Sequence, residues 1–201
     1  MARDVFGQRL ELAEAFITLL AGVGVERGLI GPREASRLWE RHLLNCALLG
    51  EAIPLGMDVC DVGSGAGLPG LVLALNRPDL RVTLVEPLRR RTDFLDEAVR
   101  ALGLRNVTVR RARAQELHGR HQFRVVTARA VAPLGRLLDW SMPLVRPGGE
   151  LLAMKGAAAE TEVEAARDRL RRSAVGSVSV MRLGAGVLDP PTTVVRVEAV
   201  G

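Results

Sequence analysis

Tyrosine is absent from the 201 residues, and the remaining aromatics are four phenylalanines and two tryptophans. So few rings argue against a sheet that binds single strands by stacking several bases. Lysine occurs once, at Lys155, so 27 of the 28 cationic side chains are arginine. Cysteine occurs twice, at Cys46 and Cys60, without C-x-x-C spacing. That excludes a disulfide framework, and both thiols are expected reduced in the core of a cytoplasmic protein. No His/Cys cluster has metal-ligand spacing, so no metal is expected. No apolar run approaches the ~18–20 residues of a membrane span. The first residues carry acids from Asp4 onward and lack the apolar stretch of a secretory signal. Ser64 has no His/Asp partner in register for nucleophilic catalysis.

The chain does carry a net charge of +5 and a pI near 10.7, which suit a polyanionic partner. An arginine-for-lysine bias of a GC-rich genome would give the same composition, so the charge alone supports nucleic acid only in part. Hydrophobic residues at 48% and charged residues at 25% fit one globular domain with a sizeable core.

The most informative stretch is Met57–Gly70, MDVCDVGSGAGLPG. Met57–Val62 reads as a strand, Gly63, Gly65, Gly67 and Gly70 follow, and an apolar helical run starts at Leu68. A strand, a glycine turn and a helix start make a nucleotide-cofactor pocket, because glycine reaches φ > 0 and lets a ligand approach the backbone. Gly65–Gly70 fits G-x-G-x-x-G, which alone is a weak signal. Asp61 widens it to D-x-G-x-G-x-G, with a carboxylate at the strand tip. That register resembles the cofactor loop of class I S-adenosylmethionine methyltransferases.

A second alternating run, Arg81–Glu86, ends in an acid 19 residues past Gly67. A carboxylate there accepts ribose hydroxyls, whether of S-adenosylmethionine or of NAD. A dehydrogenase also needs a hydride-transfer site, and no His/Asp or Tyr/Lys constellation supplies one. The methyltransferase reading is therefore favoured.

The remaining pattern predicts an α/β fold. Phe6, Leu10, Ala13, Ile17 and Leu20 predict an amphipathic helix over 4–22, broken by Gly22-Val23-Gly24-Val25. A second helix starts at Gly31-Pro32, carries Leu38, Trp39, His42, Leu43 and Cys46, and ends near Gly50. Strands are predicted near 57–62, 81–86, 106–110, 123–128 and 149–154. Helices alternate with them near 68–76, 88–102, 113–117 and 134–145. Pro147-Gly148-Gly149 reads as a turn, 158–172 as a charged helix, and 175–183 and 192–199 as a closing pair of strands. The expectation is a single Rossmann-like class I methyltransferase domain over 1–201. It has a helical cap over 1–52, a core over 53–201 and a mostly parallel seven-stranded sheet.

Several short motifs coincide with one family. Arg41-His42, Gly67-Leu68-Pro69-Gly70, Arg129-Ala130-Val131-Ala132 and Lys155-Gly156 occur in the order and register of the GidB/RsmG family. The chain therefore resembles bacterial 16S ribosomal RNA (guanine-N7) methyltransferases, over roughly residues 33–160. The resemblance implies that S-adenosylmethionine contacts Asp61, Gly63, Gly65, Gly67, Leu68, Ala114, Gln115 and Arg129, with Glu86 on the ribose. Glu86 stands where many relatives have aspartate, and Gln115 where an acid is common.

The resemblance also implies a target guanine in the decoding-centre loop of small-subunit rRNA, free or in the assembled subunit, and a cytoplasmic monomer with no membrane partner. Arg41, Arg89, Arg90, Arg91 and Lys155 are the expected RNA contacts, and His42 and Lys155 the candidate substrate contacts. Arg89–Arg91 could be a solvated face, but their place beside the cofactor edge favours a phosphate role, whereas His42 reads equally as a core histidine. No N/D-P-P-aromatic motif follows strand four. Guanine N7 has an in-plane lone pair and no proton to lose, so its methylation needs in-line approach rather than a general base. Two rivals stand beside this reading: a small-molecule methyltransferase on the same fold, and a non-catalytic RNA-binding module.

Overall fold

The computed structural model describes residues 1–172 and 175–201. Its strands are β1 (Asp58–Val62), β2 (Arg81–Val85), β3 (Val107–Arg110), β4 (Phe123–Arg129), β5 (Val145–Lys155), β6 (Val175–Leu183) and β7 (Thr192–Ala199). The α-helices are α1 (Ala2–Phe6), α2 (Leu10–Leu19), α3 (Asn45–Leu48), α4 (Gly70–Asn76), α5 (Arg89–Ala101), α6 (Leu134–Ser141), α7 (Ala159–Ala165) and α8 (Arg167–Arg172). The sheet order is β3-β2-β1-β4-β5-β7-β6. β1 to β5 run parallel, and β7 is antiparallel to both its neighbours. Parallel neighbours need crossover connections, which is why each of the first strands is followed by a helix or helical turn. β2 and β3 lie on one side of β1, and β4 and β5 on the other. The order therefore reverses beside β1, and a crevice opens there at the carboxyl ends of the strands.

Side-chain alternation along β1 splits the core over the two faces of the sheet. Val59 packs with Leu71–Leu75 of α4, Phe94 and Leu95 of α5, and Phe16, Leu20 and Leu43 from the N-terminal segment. Cys60 and Val62 pack on the other face with Leu134, Leu137 and Leu138 of α6. The N-terminal helices thus share one apolar cluster with the sheet. Both cysteines are buried and free, and burial raises both thiol pKa values. Among the described residues no helix is long and apolar enough to cross a membrane.

Arg77 fastens the end of the N-terminal segment to the α4–β2 connection. Its guanidinium donates to the carbonyls of Gly50 (2.7 Å), Ile53 (3.0 Å) and Pro54 (3.2 Å), and to both oxygens of Asp79 at 2.7 Å. Arg77, helped by the Gly56 N–H, holds the Asp79 carboxyl down at about 2.

The N-terminal helix differs from expectation. It does not break at Gly22 but passes through a π turn, Leu20–Gly24, and ends at Gly28, whose φ is 63°. An interior glycine costs about 1 kcal/mol, less than leaving the buried Leu20 without its packing. Leu29 N–H and Ile30 N–H then close on the Gly24 carbonyl. The second helix is also irregular, a 3-10 segment (Pro32–Arg37) followed by a π segment (Leu38–Leu44). The charged helix over 158–172 divides at Ala166 into α7 and α8. Pro147–Gly149 lies within β5 rather than before it. The pairing shifts between Phe123 and Val125 of β4, and Gly148 adopts φ 67° to absorb the extra residues.

Candidate functional site

The glycine turn leaves β1 and folds onto the end of β2, where the Val85 carbonyl accepts from Gly63 N–H (2.8 Å) and Ser64 N–H (3.2 Å). Its glycines have different physical jobs. A Cβ on Gly67 would lie 2.5 Å from Leu71 Cδ1, and one on Gly70 would lie 2.3 Å from Leu84 Cδ2. Gly67 lets the turn close onto α4, and Gly70 lets α4 pack closely on β1 and β2. Gly65, with φ 56°, has only the Gly63 carbonyl within reach of a Cβ, at 3.8 Å. It presents open backbone, the feature that lets a ligand approach. Leu68 is half-buried between them, and α4 begins at Gly70 rather than Leu68.

Asp61 is completely buried at the end of β1, paired in register with Leu84 of β2 and Thr127 of β4. Its Oδ2 accepts the Gly70 N–H at 3.0 Å, while Oδ1 has no partner. Burial pushes this carboxyl up to about 7, with the Glu86 charge adding to the rise and the Gly70 N–H opposing it. A buried carboxylate oxygen without a donor is what a cationic ligand group at this edge would complete.

Glu86, just past β2, is buried as well. Oε2 accepts from Gly65 N–H at 3.0 Å and from Arg91 at 3.4 Å, and Oε1 accepts from Leu88 N–H at 3.0 Å. A carboxylate has about four acceptor sites, so Oε1 retains capacity for a ligand hydroxyl. Ala114 and Gln115 open the 3-10 turn after β3 (Ala114–Leu117), the former buried and the latter exposed. Because β3 neighbours β2, they lie at the same edge beyond Glu86.

On the other side of β1, Arg129 ends β4 and turns toward the N-terminal segment. It donates to His42 Nδ1 (2.6 Å), Cys46 Sγ (3.2 Å) and the Arg41 carbonyl (3.3 Å). His42 Nε2 meets Glu34 Oε2 at 2.9 Å, and Arg41 meets Glu34 Oε1 at 3.2 Å. The segment after Arg129 covers the glycine turn: a Cβ on Gly63 would lie 2.9 Å from Val131 Cγ2. Ala130 adopts φ 54° to make this bend. Lys155 holds its far end, donating to the Ala132 carbonyl and to Glu162 Oε2, both at 2.8 Å. Glu162 also accepts the Leu134 N–H.

A wide groove of about 1460 Å³ runs along this side of the edge. The N-terminal segment walls it with Arg37 and Arg41, and the β6–β7 end of the sheet with Arg182 and Asp189. Lys155 lines the groove but is nearly buried and tied to Glu162, so as placed its Nζ is not offered to a phosphate. Arg89 and Arg90 are exposed beside Arg27, Asp93 and Glu97, apart from the groove, and Arg91 pairs with Glu86. The structure thus brings Asp61, Gly63, Gly65 and Glu86 together, adds Arg91 through Glu86, and keeps Arg89 and Arg90 elsewhere. Sequence reading missed Glu34, Arg37, Val131, Glu162 and Arg182. Val131 lies in the RAVA motif but gave no sign of its contact with Gly63; the other four sit in no motif, and Arg182 reaches the groove only through the β6–β7 pairing.

The chain matches the family model described as rRNA small subunit methyltransferase G over residues 9–188. The chain belongs to this family. A Thermobifida fusca protein named ribosomal RNA small subunit methyltransferase G is 59% identical, covering 98% of this chain and 83% of its own. One of the same name from a Nocardioides species is 62% identical, covering 98% and 79%. A Thermotoga maritima structure, titled an S-adenosylmethionine-dependent O-methyltransferase, superposes with a TM-score of 0.61 at 14% identity, covering 84% of this chain and 70% of that one. At that identity the likeness concerns fold alone, the class I methyltransferase fold. The GLPG and RAVA stretches that carried the resemblance fall on the glycine turn and the segment that covers it.

Proposed function

We propose that this chain transfers the methyl group of S-adenosylmethionine to N7 of a guanine in the decoding-centre loop of 16S rRNA. Family membership carries the reaction class, and the edge between β2, β1 and β4 carries the cofactor reading. The residues present fit the cofactor there. Asp61 Oδ1 is an unpartnered carboxylate oxygen for its cationic end, Gly65 leaves backbone open to it, and Glu86 Oε1 retains an acceptor site for ribose. Gly63, Gly67, Leu68, Ala114 and Gln115 complete the wall, and Arg129 closes its β4 side. When bound, S-adenosylmethionine supplies an electrophilic methyl on a sulfonium.

The protein's task is then positioning. N7 has no proton to lose, so no side chain needs to act as a base, and alignment in a water-poor site supplies the catalysis. The purine gains positive charge as the methyl arrives, which fixed dipoles at the edge stabilise. The rRNA backbone follows the groove, with Arg37, Arg41 and Arg182 on its phosphates. Arg89 and Arg90 contribute at most long-range attraction. The protein acts as a monomer in the cytoplasm.

Incubating the protein with methyl-labelled cofactor and small-subunit rRNA, then digesting to nucleosides, tests this reading. Label recovered as 7-methylguanosine supports it. Label on another base, or none while S-adenosylhomocysteine binds, overturns it.

A further inference from the structure

His42 lies outside the cofactor edge, yet its two ring nitrogens face two different charged partners. Arg129 has no acceptor and always donates, so the 2.6 Å contact requires an unprotonated Nδ1. The hydrogen then resides on Nε2 and is donated to Glu34 Oε2 at 2.9 Å. Only the neutral Nε2–H tautomer satisfies both neighbours. Glu34 is held in turn by Arg41, so Arg129 on one side and the Glu34–Arg41 pair on the other fix the tautomer.

Arg129 is the hinge of the segment that covers the glycine turn. Its three contacts with the N-terminal segment hold the near end, and Lys155 with Glu162 holds the far end. Val131, between these ties, rests on Gly63. The state of His42 is thereby connected to the shape of the cofactor wall.

We propose that His42 is a positioning residue: its neutral Nε2–H tautomer holds Arg129, and through Arg129 the 129–133 segment against the glycine turn. Protonation places a donor at Nδ1 against a donor of Arg129 and breaks the hold. The groups facing His42 are Glu34, Arg41 and Arg129, with Cys46 beyond Arg129. Burial first, and the Arg129 charge second, push the imidazole below its ordinary range, against the pull of Glu34. Near neutral pH the hold is therefore engaged, and acid releases it.

The inference rests on the cofactor site proposed above, and the test uses S-adenosylhomocysteine binding without RNA. His42→Ala should raise the dissociation constant about tenfold, as for one hydrogen bond from a charged donor. His42→Asn, whose side-chain oxygen stands where Nδ1 stood, should restore most of that loss. In an Arg129→Ala background, His42→Ala should change affinity by less than about twofold, because the two act as one unit. Wild-type affinity should fall below the ordinary histidine pKa of about 6.5, and His42→Asn should show a shallower acid limb. Asp61 titrates nearby, and whatever it contributes stays in the Asn variant as an internal control. Unchanged affinity in His42→Ala, full additivity with Arg129→Ala, or an acid limb in His42→Asn as deep as the wild type's would each overturn the relay alone. Failure of the wild type to bind S-adenosylhomocysteine would overturn the cofactor reading and the relay with it.

Discussion

The Glu86 carboxylate accepts the Gly65 backbone N–H at 3.0 Å, so the acid after β2 and the turn after β1 form one unit. The other oxygen accepts the Leu88 N–H. Both oxygens therefore face donors, and an amide cannot replace them without setting N–H against N–H. Glu86→Gln should weaken S-adenosylhomocysteine binding nearly as much as Glu86→Ala, by about 1.5–3 kcal/mol. Calorimetry checks this. A Gln variant with wild-type affinity would mean that Glu86 serves the ribose alone.

Asp61 gives a stability prediction whose sign follows from burial. Its folded pKa, about 7, lies above the ordinary 3.8. The stabilising effect of the proton is complete below the unfolded value and disappears as pH rises through about 7. Above pH 7 the fold therefore holds a strained buried charge. Asp61→Asn keeps an acceptor for Gly70 N–H and removes that charge. The ligand-free variant should melt higher than wild type at pH 8, with the gap closing toward pH 4. Its cofactor affinity should nonetheless fall. A melting gap independent of pH would contradict this account of Asp61.

Arg37 and Arg182 stand on opposite walls of the groove. Alanine at each should weaken rRNA binding and lower its salt slope by about one, leaving S-adenosylhomocysteine affinity unchanged. Arg89→Ala with Arg90→Ala should have the smaller effect. Filter binding across a salt series separates the two. A larger loss from the Arg89/Arg90 pair would move the RNA path to the other side of β1.

Arg77 predicts a purely structural phenotype. Arg77→Met strips donors from three carbonyls and from Asp79, and should cost about 1.5–3 kcal/mol in denaturant unfolding. The Asp79 part has an acid limit. Its pKa is depressed to about 2, so that contribution is complete above about 4 and lost as pH falls through about 2. The stability gap between wild type and variant should narrow over that window without closing, because the three carbonyl contacts do not titrate.

The sheet and the cofactor edge were legible because local pattern encodes them. Alternation marks β1 and β2, and the glycines mark the turn whose positive φ angles they permit. The N-terminal segment was less so. Gly22 suggested a break, but packing of Leu20 and Phe16 carries the helix through. Arginine roles were least legible, since a cation's partner is set by tertiary neighbours. Arg89-Arg90-Arg91 looks like one basic run, yet Arg91 serves Glu86 while Arg89 is largely solvated. Lys155 reads as a phosphate ligand until Glu162, seven residues on, is brought back against it by α7. His42 could be read either as core or as substrate group. In the structure it bridges Glu34, eight residues before it, and Arg129, 87 residues after it.

The most direct measurement is chemical mapping of 7-methylguanine in 16S rRNA from cells with and without this protein. Reduction followed by aniline cleaves the strand at that base only. The account predicts one cleavage in the decoding-centre loop that vanishes when the protein is absent and returns when it is restored. An identical cleavage pattern in both cell types, or a lost methyl at another atom or another RNA, would contradict it.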